Sequence, residues 1–176
     1  MRLLLHTCCA PCLIFPLGEL RKKGVKVESF FYNPNIYPYD EHERRLNTLK
    51  DFSKQAGVDL VVHKNDCANY LNLIAKDSEK PLRCKICWKM RLKEAACFAR
   101  ENNFDAFSTT LLVSPYQDQG LLKVIGEETA DEIDIEFLFQ DFRPGFKYAQ
   151  EEAKKLNLYR QKYCGCIYSG AERKKR

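Results

Sequence analysis

Apolar positions recur along this chain with two different periods. Arg2 to His6 is a compact apolar run of strand length, and Leu13, Leu17 and Leu20 follow at helical spacing until Gly24 stops that helix, with Pro16 leaving its first residue unassigned. Val25 to Tyr32 reads as a second strand closed by the turn-forming pair Asn33-Pro34. A charged helix from about Tyr39 to Ala56 keeps Leu46, Leu49 and Phe52 on one face and ends at Gly57; Asp59 to His63 is the third strand. From Cys84 to Asn102 the stretch CKICWKMRLKEAACFAREN sets Leu92, Ala95, Ala96 and Ala99 at i, i+3, i+4 and i+7, an amphipathic helix. Phe104 to Ser108 is a fourth strand, about Gln117 to Ala130 a helix, Ile133 to Phe139 a fifth strand and Phe146 to Asn157 a last helix. No repeat, low-complexity tract or Gly/Ser linker interrupts the series.

Strands alternating with helices predict an α/β fold, a parallel sheet with helices on both faces in a Rossmann-like three-layer architecture. One domain is expected over residues 1–176, with a basic helical C-terminal segment from about 144 to 176. Ligands of such sheets bind in the crevice outside the carboxyl ends of the strands. The loops expected there are HTCCAPC, YNPN, KNDC, STTLLVSP and QDFRPG, after the first to fifth strands in turn.

Composition changes the picture mainly through sulfur. At 176 residues and 45% hydrophobic, the chain can close a core without disulfide staples. Its apolar opening is too short for a secretory signal, and nothing approaches the roughly 20 apolar residues of a membrane span, so a cytosolic protein with no membrane partner is expected. In a reducing compartment nine cysteines, an odd number, point to metal binding or redox work rather than structural bridges. The net charge of +5 is concentrated at one end: from Asp141 onward ten Lys or Arg face four Asp or Glu.

The cysteines fall into Cys8-Cys9-x-x-Cys12, Cys84-x-x-Cys87 and Cys164-x-Cys166, with Cys67 and Cys97 alone. A C-x-x-C pair at a helix start has its sulfurs near free backbone N–H groups and the positive end of the helix dipole, which favours thiolate and metal binding. Arg83 and Lys85 add positive charge there. Adjacent cysteines suit a cluster that presents several metal corners better than closed zinc sites, which favour C-x(2–4)-C. Cys8, Cys9, Cys84 and Cys87 therefore form a candidate iron-sulfur set. A disulfide between Cys164 and Cys166 would close a small strained ring of the labile kind, so that pair can cycle between dithiol and disulfide or ligate a metal. Cys67 and Cys97 read as small buried hydrophobes.

HTCCAPC, LRCKICWKMRL and YCGCIYSGAERKKR, in that order and across nearly the whole chain, resemble the epoxyqueuosine reductases of the QueH type. The resemblance implies a nucleotide-binding, PP-loop-like fold and a cytoplasmic enzyme that reduces epoxyqueuosine in tRNA to queuosine by deoxygenating the epoxide to an alkene. It further implies a [4Fe-4S] cluster on Cys8, Cys9, Cys84 and Cys87, an adjacent mononuclear iron, and a redox-active pair at Cys164 and Cys166. Cys12, Cys164, Cys166, Asp66 and Asp141 are candidates by location for the second iron, and the electron donor is not identified. A PP-loop ATPase needs a Ser/Gly-rich phosphate loop after the first strand, where this chain has cysteines.

Other features carry less. The basic end, finishing ERKKR, could neutralise phosphates of tRNA, with Tyr159, Tyr163 and Tyr168 beside it. Tyr32, Tyr37, Tyr39 and Tyr116 fall in crevice loops, where core packing explains an aromatic equally well. His6, His42 and His63 read as hydrogen-bonded structural residues. STTLLVSP brings hydroxyls to the crevice. Two further readings of the thiols stand beside the reductase: a zinc-stapled RNA-binding module, and a cluster-free thiol oxidoreductase using Cys9-Ala10-Pro11-Cys12.

Overall fold

Leu3, Leu4 and Leu5 are all completely buried in β1 (Arg2–His6), an unalternated apolar run that suits only a central strand covered on both faces. The computed structural model describes residues 1–174; the last part of the basic ERKKR run, residues 175–176, lies outside the described residues. After β1 come α1 (Ala10–Lys22), β2 (Lys26–Phe31), α2 (Tyr39–Ala56), β3 (Leu60–Val62), α3 (Cys67–Ile74) and α4 (Leu82–Glu101). The chain continues through β4 (Ala106–Thr109), a 3-10 turn (Thr110–Val113), α5 (Gln119–Ile133), β5 (Glu136–Phe137), α6 (Phe146–Lys155) and α7 (Ile167–Lys174).

All strand pairs are parallel, in the order β3-β2-β1-β4-β5. In register, Leu3 faces Val27 on one side and Ala106 on the other, and His6 faces Phe30 and Thr109. Because the chain leaves β1 toward β2 and returns to β4, the connections diverge between β1 and β4. That divergence opens a crevice at their carboxyl ends. α1 packs against α2 and α6 in one layer, α4 against α3 and α5 in the other. This is the expected Rossmann-like α/β fold.

Local chemistry accounts for several element ends. Cys9 is the extended residue that opens α1, and Pro11 sits in the first turn, where its missing N–H is no loss. Pro16 lies inside α1 and has no N–H to give the Cys12 carbonyl one turn earlier. α2 stops at Gly57 in the left-handed region, and Asp118 opens α5 by accepting from the Leu121 N–H at 2.9 Å.

Two elements depart from the periodic reading. α3 forms in a stretch to which the apolar periods assign no element, starting at the last residue of the KNDC loop; it is capped by Asp66, which accepts from the Asn69 N–H at 3.1 Å, and it buries Tyr70 and Ile74. The C-terminal segment is not helical throughout. Residues 156–166 run free of helix between α6 and α7, Asn157 and Gly165 adopting positive φ that an α-helix cannot include.

At Gly126 α5 meets β5 with no room for a side chain: a Cβ there would lie 2.1 Å from Phe137 Cε1. Gly126→Ala gains about 1 kcal/mol of helix propensity but forces Phe137 off its seat, an overpacking cost of ~1–3 kcal/mol. A net loss of stability is expected, read as a lower urea midpoint at unchanged m-value.

Candidate metal centre

The first residues beyond β1 occupy the divergence between β1 and β4. The Cys8 N–H donates to Thr110 Oγ1 at 3.2 Å, and the Thr110 hydroxyl lies 3.5 Å from Cys8 Sγ as a donor, which ties the thiol loop to the end of β4. Cys8 and Cys9 place their sulfurs 3.7 Å apart, and Cys12, one turn into α1, completes a buried trio whose sulfurs all lie within 4.8 Å of one another. Hydrogen bonds from Cys12 and Cys9 pull Cys8 well below the ordinary thiol range, with Arg91 adding to the effect. Burial pushes Cys9 up, and Cys12 rises because it is the donor to Cys8.

Cys84 and Cys87 occupy the first two turns of α4. Cys87 is buried with Tyr70, Ile74 and Cys166. Among the described residues Cys8, Cys9 and Cys12 form the only group of three or more metal-binding side chains with donors mutually within 4.8 Å, and the α4 pair stands apart from it. Arg91, a turn beyond Cys87, bridges the two groups: its Nη1 is 3.9 Å from Cys87 Sγ, and its Nε donates to His6 Nε2 at 3.3 Å, two residues before Cys8. The helix dipole that favours thiolates at the α4 start is outweighed, since burial raises both Cys84 and Cys87.

The third thiol group closes over the others. Cys164 is exposed and Cys166 buried, both as free thiols. The Cys164 thiol bonds Ser169 Oγ at 2.9 Å, and the Ser169 N–H donates to Cys166 Sγ at 3.3 Å. A hydrogen bond from Cys164 brings Cys166 down to about 5, and the same bond raises Cys164. Gly165 between them has φ +110°, and a Cβ would stand 2.8 Å from Ile36 Cγ1. Its carbonyl accepts from the Tyr37 N–H at 2.8 Å, fixing the pair against the loop after β2. Gln161 Nε2 reaches Cys12 Sγ at 3.4 Å, so the C-terminal segment also touches the first trio.

Two buried arginines hold this assembly, and the periodic reading assigned a role to neither. Arg45 binds Glu41 and donates to the carbonyls of Tyr163 and Cys164; Arg91 donates to Asn33 Oδ1 at 2.6 Å besides its contacts to His6 and Cys87. The signal for Arg91 lay in its spacing, because Cys84, Cys87 and Arg91 stand at i, i+3 and i+7 on one helix face. Asp66 and Asp141 are engaged elsewhere, Asp66 as the α3 cap and Asp141 with Arg143, which argues against either as an iron ligand. His6 is structural as expected: burial and Arg91 push it down to about 3, and Nδ1 bonds Thr109 Oγ1 at 2.8 Å. Tyr32 is core, whereas Tyr37, Tyr39 and Tyr116 are exposed.

The family model described as epoxyqueuosine reductase QueH matches residues 3–172. An epoxyqueuosine reductase QueH from Dehalococcoides mccartyi is 35% identical over 173 residues, covering 98% of this chain and 94% of that protein. The one from Thermotoga maritima is 32% identical, covering 98% and 92%. Among solved structures, the U34-tRNA thiolase NcsA of Methanococcus maripaludis with its [4Fe-4S] cluster superposes with a TM-score of 0.61 at 16% identity, over 96% of this chain and 61% of that one. A predicted subunit of tRNA methyltransferase from Methanocaldococcus jannaschii gives 0.60 at 12% identity, over 88% and 74%. At such identities the two structures speak for the fold alone.

Proposed function

Because the chain belongs to the epoxyqueuosine reductase QueH family, and is thereby an oxidoreductase that takes epoxyqueuosine in tRNA to queuosine, we propose that it works at an iron-sulfur centre held by Cys8, Cys9, Cys84 and Cys87. Cys164 and Cys166 act beside it as redox-active thiols. The observation that carries this reading is the buried sulfur trio at the β1/β4 divergence, with Gln161 of the C-terminal thiol segment on Cys12 and Arg91 reaching from Cys87 to His6, two residues before Cys8. Family membership disfavours the zinc-stapled module and the cluster-free thiol enzyme.

The donor set fits an iron-sulfur cofactor. The donors are thiols, soft ligands suited to such clusters, and the nearby imidazole of His6 is taken up by Thr109 and Arg91. Cys12, the third sulfur of the trio, remains for an adjacent mononuclear iron. When bound, such a centre supplies electrons singly and a Lewis-acidic site that withdraws charge from the epoxide oxygen.

The rest falls to the chain itself. Turning an epoxide into an alkene and water takes two electrons and two protons. The Cys164/Cys166 pair closing to a disulfide releases both electrons, and with Cys166 held as thiolate it gives one proton, from Cys164; water supplies the other. Cys164, exposed, is the sulfur a substrate can reach, while Cys166 is held from the interior by Ser169. Exposed Arg160 and Lys162 beside these thiols, with exposed Tyr37, Tyr39 and Tyr116 in the crevice loops, offer phosphate contacts and stacking faces to tRNA. Among the described residues no helix is long and apolar enough to cross a membrane.

Anaerobic reconstitution, then mass analysis of nucleosides from epoxyqueuosine-containing tRNA, tests the reading: a brown protein absorbing near ~400 nm and forming queuosine is expected. A colourless protein with stoichiometric zinc would overturn it. Changing Cys164 and Cys166 to Ser should leave that absorption intact and abolish turnover; turnover at the native rate removes the pair from the mechanism.

A further inference from the structure

Three arginines are buried around the thiols, and they are not equivalent. Arg45 pairs with Glu41 and Arg83 with Glu172. Arg91, 3% exposed, pairs with no carboxylate among the described residues. Its three acceptors are neutral or sulfur: His6 Nε2, Asn33 Oδ1 and Cys87 Sγ. His6, bonded at Nδ1 to Thr109 Oγ1 and at Nε2 to the Tyr32 carbonyl, is an imidazole with no negative charge in either tautomer and cannot offset the guanidinium. A buried guanidinium with no counter-ion is strongly unfavourable, and native proteins pair such charges. Among the described residues the anionic chemistry within reach is sulfur: Arg91 Nη1 lies 3.9 Å from Cys87 Sγ, and through His6 and Asn33 the same side chain borders the loop that delivers Cys8.

We propose that Arg91 is the built-in counter-ion of the thiolate-bound metal centre, a positioning residue that retains the metal and raises its reduction potential. The inference rests on the ligand assignment proposed above. Thiolate ligation makes the centre anionic, and reduction adds one more negative charge. A fixed cation beside it stabilises the reduced state more than the oxidised one, as net charge and hydrogen bonds to sulfur do for such centres generally. Arg91 also holds Asn33, whose Nδ2 donates to the Thr7 carbonyl at 2.9 Å, so the same side chain orients the loop that delivers Cys8.

The test compares Arg91→Met, Arg91→Gln and Arg91→Lys with the native protein, each metal-free and after anaerobic reconstitution. Both neutral variants should lose ~10- to 100-fold in metal affinity, the usual effect of removing an outer partner of a metal site. Their reconstituted centres should show a more negative midpoint by spectroelectrochemistry, with kcat lowered and KM for tRNA unchanged. Metal-free, they should melt no lower than the native protein, since an uncompensated charge has gone. Arg91→Lys should recover part of the affinity and potential. Equal destabilisation of metal-free and loaded forms, or an unshifted midpoint in a loaded neutral variant, overturns the proposal and leaves Arg91 a packing residue. Failure of all three variants to fold while the native protein loads normally overturns it in the same way. A native protein that takes up no iron-sulfur centre refutes the ligand assignment itself, and the inference with it.

Discussion

Cys8→Ser is expected to remove the ~400 nm absorption of the reconstituted protein and its turnover together. Cys8 stands where the connections of the sheet diverge, its N–H and sulfur both tied to Thr110, and it alone of the trio is held below the ordinary thiol range, by hydrogen bonds from Cys12 and Cys9, while Cys9 and Cys12 are raised. It is thus the first of the three available as thiolate, and thiolate is the ligand form. A serine hydroxyl keeps the hydrogen bond to Thr110 and the volume, so the fold should survive, with an unchanged far-ultraviolet spectrum. The loss of activity should exceed the roughly 100-fold that removal of an outer-shell partner costs. Cys97→Ser, on a lone thiol of α4, is the matched control and should keep both absorption and turnover. A coloured, active Cys8→Ser protein would dismiss Cys8 as a ligand.

Much of this site could be read from residue order, for a definite reason. Strand and helix periods fix which loops meet at the carboxyl end of a parallel sheet, and Cys8, Cys9 and Cys12 inherit their place from β1. β1 and α2 fall on the expected residues, and the other strands fall within the expected spans or a residue from them. α3 escaped notice because eight residues with two buried anchors, Tyr70 and Ile74, give no sustained period, although Asp66 before it carried a cap signal. Arg45 and Arg91 escaped for a tertiary reason. Glu41 and Arg45 at i, i+4 look like a surface ion pair, and only the return of residues 159–166 over α2 buries them. The separation of the α4 pair from the first trio likewise depends on helix placement, which local spacing does not encode.

That return of the chain makes Arg45→Met the second large expected effect. Arg45, 1% exposed, bonds Glu41 through Nε at 2.8 Å and the carbonyls of Tyr163 and Cys164 at 3.0 and 3.2 Å. Removing it strands the Glu41 carboxylate, which keeps only the Tyr159 hydroxyl at 2.5 Å. Breaking a buried pair from one side costs ~3–5 kcal/mol, a large share of a typical total of ~5–15 kcal/mol. Urea unfolding should show that loss. The double change Arg45→Met with Glu41→Met removes both charges and should regain much of the stability, since a buried pair replaced by apolar groups is often neutral. Turnover should not return with it: the Tyr163 and Cys164 carbonyls still lack their donor on α2, which leaves the loop carrying Cys164 and Cys166 with the Tyr37–Gly165 backbone bond and the Tyr163 hydroxyl on the Tyr37 carbonyl, both to the loop before α2. Stability recovered without activity locates the function of Arg45 in placing those thiols, whereas recovery of both would reduce it to an ion pair.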